Sequence, residues 1–177
     1  ASMTSSFSAA TASLGFDSAA GGTLRLGLGG RDLLVPAPAL HLVLDGQMVS
    51  RWQSPRLTAG RGLDVTGTVI DGVEATLSVA QVADRDAFEF RLTLHNSGAR
   101  KVRISAADAF AGTLAPATWD GLSFTSKWGG EFEPEPFAIT APREIEIRSG
   151  RSALGQSPWL GASSALGAVV VAPVWSG

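Results

Sequence analysis

Glu131, Glu133 and Glu135 are spaced by two and flanked by Trp128, Phe132 and Phe137. Carboxylate pairs are the groups that glycoside hydrolysis uses, one as acid and one as nucleophile or base. On extended backbone alternate residues share a face, so the three could sit side by side. Pro134 and Pro136 fit a solvated loop equally well, and that plainer alternative stays open. Five tryptophans, Trp52, Trp119, Trp128, Trp159 and Trp175, stand in a chain without tyrosine. Indole joins a large apolar area to one N–H donor, which serves sugar stacking and core or interface packing alike; packing is the plainer role for each.

Other chemistries find little support. The two histidines, His41 and His95, fall on polar positions of alternating segments, which fits exposed or edge-strand imidazoles. Neither has a carboxylate nearby in sequence at metal-ligand spacing, and without cysteine no thiolate zinc motif can be assembled, so no metal is expected. No G-x-S-x-G elbow presents a serine nucleophile. Gly27-Leu28-Gly29-Gly30 is half of a phosphate loop with no helix to follow it, so no nucleotide cofactor is expected.

The elements that must carry these residues are strands. In Phe88-Glu89-Phe90-Arg91-Leu92-Thr93-Leu94-His95 every second residue is apolar, which predicts a half-buried strand. Asn96-Ser97-Gly98 offers a turn and Lys101 to Ser105 returns, predicting a hairpin. Asp45-Gly46 and Asp71-Gly72 each separate two apolar segments, the preferred chemistry of a tight hairpin turn. Thr23 to Leu28 and Glu144 to Arg148 add alternating strands. The apolar run Ala165 to Trp175 reads as a buried strand, being too short for a membrane-spanning helix. Ser105 to Ala115 has room for one turn of helix before Pro116. Val35-Pro36-Ala37-Pro38 and Glu133-Pro134-Glu135-Pro136 suit crossing loops or edge segments. Roughly ten to thirteen strands at this spacing predict an all-β, two-sheet antiparallel sandwich, residues 1–177 forming one domain.

With 14 basic and 16 acidic residues interspersed and a net charge of -2, the chain carries no electrostatic footprint for nucleic acid or an anionic membrane. The absence of cysteine suits a reducing compartment, and with no basic region and apolar block at the N-terminus the default location is cytoplasmic.

At several landmarks the sequence resembles the N-terminal β-domain of glycoside hydrolase family 36 α-galactosidases. The Arg91 to Ile104 stretch resembles that family's hairpin with an N-x-G turn, and Trp128 to Glu131 its W-x-x-E segment. Arg148 to Trp159 follows S-R-R-G-x-S-S-H-Q-x-N-P-F, and Trp175-Ser176-Gly177 resembles the domain's closing strand. The resemblance implies a galactose mutarotase-like supersandwich, packed against a catalytic (β/α)8 barrel of the same parent chain that works by a retaining mechanism. It also implies a homo-oligomer. The expected role is a non-catalytic domain, itself inactive, that supports barrel packing and assembly, with an α-galactoside as the parent's substrate. The residues expected to face an interface or a sugar are Trp128, Glu131, Arg151, Trp159 and Trp175. The family's G-D-F-R-x-P-A loop has only Leu34 to Ala39 as a counterpart, without the acid or the arginine, and S-S-H-Q is reduced to Ser152-Ala153-Leu154-Gly155. The alternative is a self-sufficient carbohydrate-binding module, which requires exposed tryptophans on one sheet face.

Overall fold

A computed structural model describes residues 3–8, 11–59, 62–83, 85–127, 130–146 and 155–173. They form two compact units, Ala1–Ala115 and Pro116–Gly177. Each is treated by itself.

The first unit holds twelve strands: β1 (Thr4–Ser8), β2 (Ala12–Asp17), β3 (Thr23–Leu28), β4 (Arg31–Pro38), β5 (Leu42–Leu44), β6 (Gln47–Val49), β7 (Gln53–Ala59), β8 (Gly62–Ile70), β9 (Val73–Gln81), β10 (Phe88–Asn96), β11 (Ile104–Ala107) and β12 (Thr113–Leu114). They pair as three antiparallel sheets, ordered β1-β2-β3-β4-β12, β10-β9-β8-β7 and β11-β5-β6. One core joins them. Leu14 and Phe16 from β2, Leu42 and Leu44 from β5, Leu63 and Val65 from β8, and Leu77 and Val79 from β9 are all buried in it. The period-two alternation of β8 and β9 supplies the inward residues and leaves the others half-buried outside, where Thr66 and Thr76 pair through their hydroxyls at 2.9 Å.

Trp52 anchors this core. Its indole N–H donates to the Ala75 carbonyl at 2.9 Å and its ring meets Phe16 edge-on, centroids 5.9 Å apart. Gly22 is required beside it, because a Cβ there would lie 2.7 Å from the Trp52 ring. The core or packing role expected of the tryptophans holds for Trp52 and Trp119, both buried.

The Asp-Gly turns are as the sequence predicts. Asp45 and Gly46 both have positive φ and join Leu44 directly to Gln47, the mirror-image turn that matches strand twist. Asp71-Gly72 joins Ile70 to Val73. In β10, Phe88, Phe90, Leu92 and Leu94 are half-buried against the core and the alternate residues are exposed, again as expected.

Three expectations are corrected. Phe88–Asn96 forms its hairpin with β9, residue for residue from Phe88↔Gln81 to Asn96↔Val73, and Lys101 to Ser105 does not return along it. Instead β11 pairs with β5, because Asp45 accepts the Arg103 N–H at 2.9 Å and the Arg100 guanidinium, while its own N–H donates to the Arg103 carbonyl at 2.8 Å. Ser105 to Ala115 contains the strands β11 and β12, and the helical content among the described residues is the 3-10 turn Ala19–Gly21. Val35-Pro36-Ala37-Pro38 lies within β4, where Pro36 falls at a register shift against β3 and so need not donate to the ladder.

The second unit is one antiparallel sheet of β13 (Asp120–Lys127), β14 (Gly130–Ala138), β15 (Gly155–Ser164) and β16 (Gly167–Val171), ordered β14-β13-β15-β16. Glu133 to Pro136 thus forms part of an edge strand, one of the two expectations for it. Glu144 to Glu146, expected to begin a strand, has no strand assignment. The all-β antiparallel class holds throughout the described residues, with sixteen strands against the ten to thirteen expected.

Candidate functional site

Residues paired directly across strands share a face, so the register of the second sheet sorts its side chains. One face carries Gly121, Ser123 and Thr125 opposite Phe137, Glu135 and Glu133, continuing through Leu160 and Ala162 to Val171 and Val169. This face is packed around Gly121, Ser123 and Phe137, while Leu160 and Val171 at its other end are exposed. Ser123 is fully buried, and a Cβ on Gly121 would lie 2.3 Å from the Phe137 ring, so the aromatic occupies the space its glycine neighbour leaves. Arg143 closes the stack: its guanidinium sits 4.1 Å from the Phe137 ring centroid, 3.2 Å from the Glu135 carboxylate, and donates to the Ser123 hydroxyl at 3.2 Å.

The opposite face is apolar and open. It presents Leu122 and Phe124 from β13, Pro134, Pro136 and Ala138 from β14, Gly161 from β15, and Ala168 and Val170 from β16. Trp159 lies in β15 where its register against β13 shifts, between Leu160 and Gln156. Trp159 is 49% exposed and Val170 61%. Asp120 and Ser163, also paired on this face, mark its polar end, where with Thr118 and Ser164 they line a shallow depression of about 650 Å³. Val170 and Val171 are exposed, one on each face, so the buried strand expected of Ala165 to Trp175 is corrected over its described residues: apolar composition alone does not bury a strand.

The carboxylates do not form an acid–base pair. Glu133 and Glu135 do share a face, yet Glu135 is committed to Arg143 and Glu133 is exposed at the sheet edge. Glu131 belongs to β14, and its side chain lies outside the described residues. Trp128, Arg151 and Trp175 also lie outside them. Of the residues expected to face a partner, Trp159 is the one whose side chain is described, and it is exposed. Sequence reasoning missed Arg143; its only signal is the Gly121–Phe137 pairing that makes its platform, which appears once register is known.

The histidines are separate from this sheet. His41 precedes β5 with Nδ1 2.6 Å from the Asp108 carboxylate, and His95 lies opposite Glu74 at the β10 edge. The His41 contact lacks the alignment of a hydrogen bond, so it is an ion-pair approach by distance alone. Among the described residues no cluster of three or more His, Cys, Asp or Glu could hold a metal, and no helix is long and apolar enough to cross a membrane.

Two carboxylates in the first unit are held below the usual range. Asp86 accepts from the Thr11 hydroxyl at 2.7 Å and from the Thr11 and Ala12 amides at 2.9 and 2.8 Å, pinning the start of β2. Asp45 is lowered by the Arg103 amide and then the Arg100 guanidinium. Both serve turns and strand ends.

Residues 65–177 match the model of the glycosyl hydrolase family 36 N-terminal domain, from within β8 through β16. The match takes in more than half of the chain and the entire second sheet, and the chain belongs to this family. It goes with a catalytic domain of its parent enzyme. The comparisons with curated proteins and with solved structures each returned no match.

Proposed function

We infer that the chain is a non-catalytic N-terminal domain of an α-galactosidase-like enzyme, and that it supports packing of the catalytic (β/α)8 barrel and assembly of a homo-oligomer. The observation that carries this is the outward face of Leu122, Phe124, Pro134, Pro136 and Val170, with Trp159 exposed in the same sheet. Exposed apolar area of this kind marks a protein interface, and the catalytic domain implied by the family is the natural occupant. Trp128, Glu131, Arg151 and Trp175 would join Trp159 at that interface or at a bound sugar. In this reading residues 1–177 act as one domain of the galactose mutarotase-like supersandwich type, supported by a family match that starts at residue 65 and continues to residue 177. The parent enzyme would be a retaining α-galactosidase with an α-galactoside as substrate, in a cytoplasmic location that the cysteine-free composition suits.

A second reading, a carbohydrate-binding module, draws on the exposed Trp159 and the polar depression at Asp120 and Ser163 in the same sheet. Calorimetric titration separates the two. The scaffold role gives saturable heat with the separately produced catalytic domain and none with galactose or raffinose; saturable sugar heat that Trp159→Ala abolishes would replace it with the module.

A further inference from the structure

The sequence contains three Asp-Gly dipeptides, Asp45-Gly46, Asp71-Gly72 and Asp120-Gly121. Glycine has no Cβ to shield its amide nitrogen, so such a pair can close on itself. The nitrogen attacks the aspartate Cγ, a C–N bond forms, the Cγ–OH bond breaks and one water leaves, giving a five-membered succinimide. Water then adds back. Opening at Cγ restores aspartate, whereas opening at the main-chain carbonyl leaves the chain running through Cβ and Cγ as isoaspartate, with no atom gained or lost overall. Closure needs a free carboxyl in its neutral form and an uncommitted glycine N–H. The fold treats the three pairs differently. Asp45 is held by the Arg103 amide at 2.9 Å and by the Arg100 guanidinium, which keep its carboxyl ionised below the usual range. Asp120-Gly121 lies in β13, paired on both sides with β14 and β15, so its backbone is fixed and its main-chain groups belong to the ladders. Asp71-Gly72 forms the tip of the β8–β9 hairpin, between Ile70 and Val73, with Asp71 exposed. Among the described residues neither the Asp71 carboxylate nor the Gly72 N–H has a hydrogen-bond partner.

We propose that Asp71-Gly72 is a site of spontaneous isoaspartate formation, and that folding confines this modification to that turn among the three Asp-Gly pairs. The product alters the fold because isoaspartate adds a methylene to the main chain. A two-residue turn between the directly paired Ile70 and Val73 has no slack for it. Gly72 is also a contact point for a neighbouring segment. Its carbonyl accepts the Ser97 N–H at 2.9 Å, and a Cβ on it would lie 3.1 Å from the Gly98 Cα, so displacing Gly72 disturbs residues 97–98 as well. Behind the tip, Val69 and Val73 are buried in the core. The modified chain has the mass of the native one and lower stability. Its displaced α-carboxylate is the group that a carboxyl methyltransferase specific for isoaspartyl residues would take.

The three pairs fall on separate tryptic peptides, 32–51, 62–85 and 104–127, so each can be followed alone. The chain is held at neutral pH and physiological temperature, sampled over time and digested. Isoaspartate is scored by enzymatic methyl transfer and by electron-transfer fragmentation, which separates the isomers. The expected result is accumulation at Asp71 at least about fivefold faster than at Asp45 or Asp120, the factor by which one hydrogen bond that must first break slows closure. In concentrated guanidinium that advantage disappears, because the unfolded chain exposes the same dipeptide three times. Asp71→Glu, whose longer side chain would have to close a six-membered ring, keeps the circular dichroism spectrum and accumulates no isoaspartate on peptide 62–85 above background. The separated aged chain melts below the fresh one, and Asp71→Glu does not age in this way. A smaller advantage for Asp71, or one that persists in guanidinium, overturns the assignment. An aged chain with the Tm of the fresh one overturns the claim that the turn cannot absorb the extra methylene.

Discussion

Gly121→Ala is the substitution that most directly interrogates the packed face of the second sheet. The new methyl would lie 2.3 Å from two carbons of the Phe137 ring. Ordinary contact begins near 3.4 Å, so the ring must retreat by roughly 1 Å. It cannot retreat freely, because the Arg143 guanidinium lies over it at 4.1 Å and is itself held by Glu135 and Ser123. Overpacking of this kind costs about 1–3 kcal/mol. Loss of the half-exposed cation–π contact adds ~0.5–1 kcal/mol. The expected destabilisation is about 2–4 kcal/mol, on the order of 5–10 °C in Tm for a chain of this size. Thermal and guanidinium unfolding measure it, and a double-mutant cycle with Phe137→Leu assigns it. In the Phe137→Leu background the alanine should cost little, because the smaller side chain vacates the site. An unchanged Tm for Gly121→Ala, or the same loss in both backgrounds, would refute the stacked arrangement of Gly121, Phe137 and Arg143.

Trp52→Ala should cost about 3–5 kcal/mol in guanidinium unfolding, since it empties a core site and removes the indole hydrogen bond to the Ala75 carbonyl. Trp159→Ser, at an exposed position, should change stability by no more than about 0.5 kcal/mol. The same variant should weaken binding to the catalytic domain by roughly thirtyfold, the scale of an interface anchor. For Asp86 and Asp45, folded pKa values below the unfolded value mean stability that is present above about pH 4 and lost as pH falls through the folded value. Denaturant midpoints should therefore hold steady from pH 7 to about 5 and fall below pH 4, and Asp86→Asn should flatten part of that acid limb.

Local chemistry made some of this fold legible and hid the rest. Asp45-Gly46 and Asp71-Gly72 were readable because a two-residue turn is decided by the φ angles its own residues tolerate. Asn96-Ser97-Gly98 carried a similar signal and misled. Gly98 packs against Gly72 and the Ser97 amide donates to the Gly72 carbonyl, so the segment serves a neighbouring turn rather than a hairpin of its own. What sends Lys101 to Ser105 elsewhere is the Asp45 carboxylate, far away in sequence and silent in any window around residue 100. The valines of β16 were visible as apolar, but burial depends on a partner, which composition does not name. The same limit applies to Glu135, whose spacing with Glu133 suggested shared chemistry until Arg143, just before the segment expected to be strand, proved to hold it. Trp159 was singled out by its motif, and its exposure appears only in the structure, where it lies at a register shift of β15.

The central claim is that this domain docks rather than cleaves, and titrating the purified chain into the separately produced catalytic domain of its parent tests it most directly. The account predicts a saturable one-to-one complex with a negative heat-capacity change, from burial of the apolar face, and no release of galactose from an α-galactoside by the chain alone. Galactose release by the isolated chain, with no heat on mixing the two domains, would contradict it.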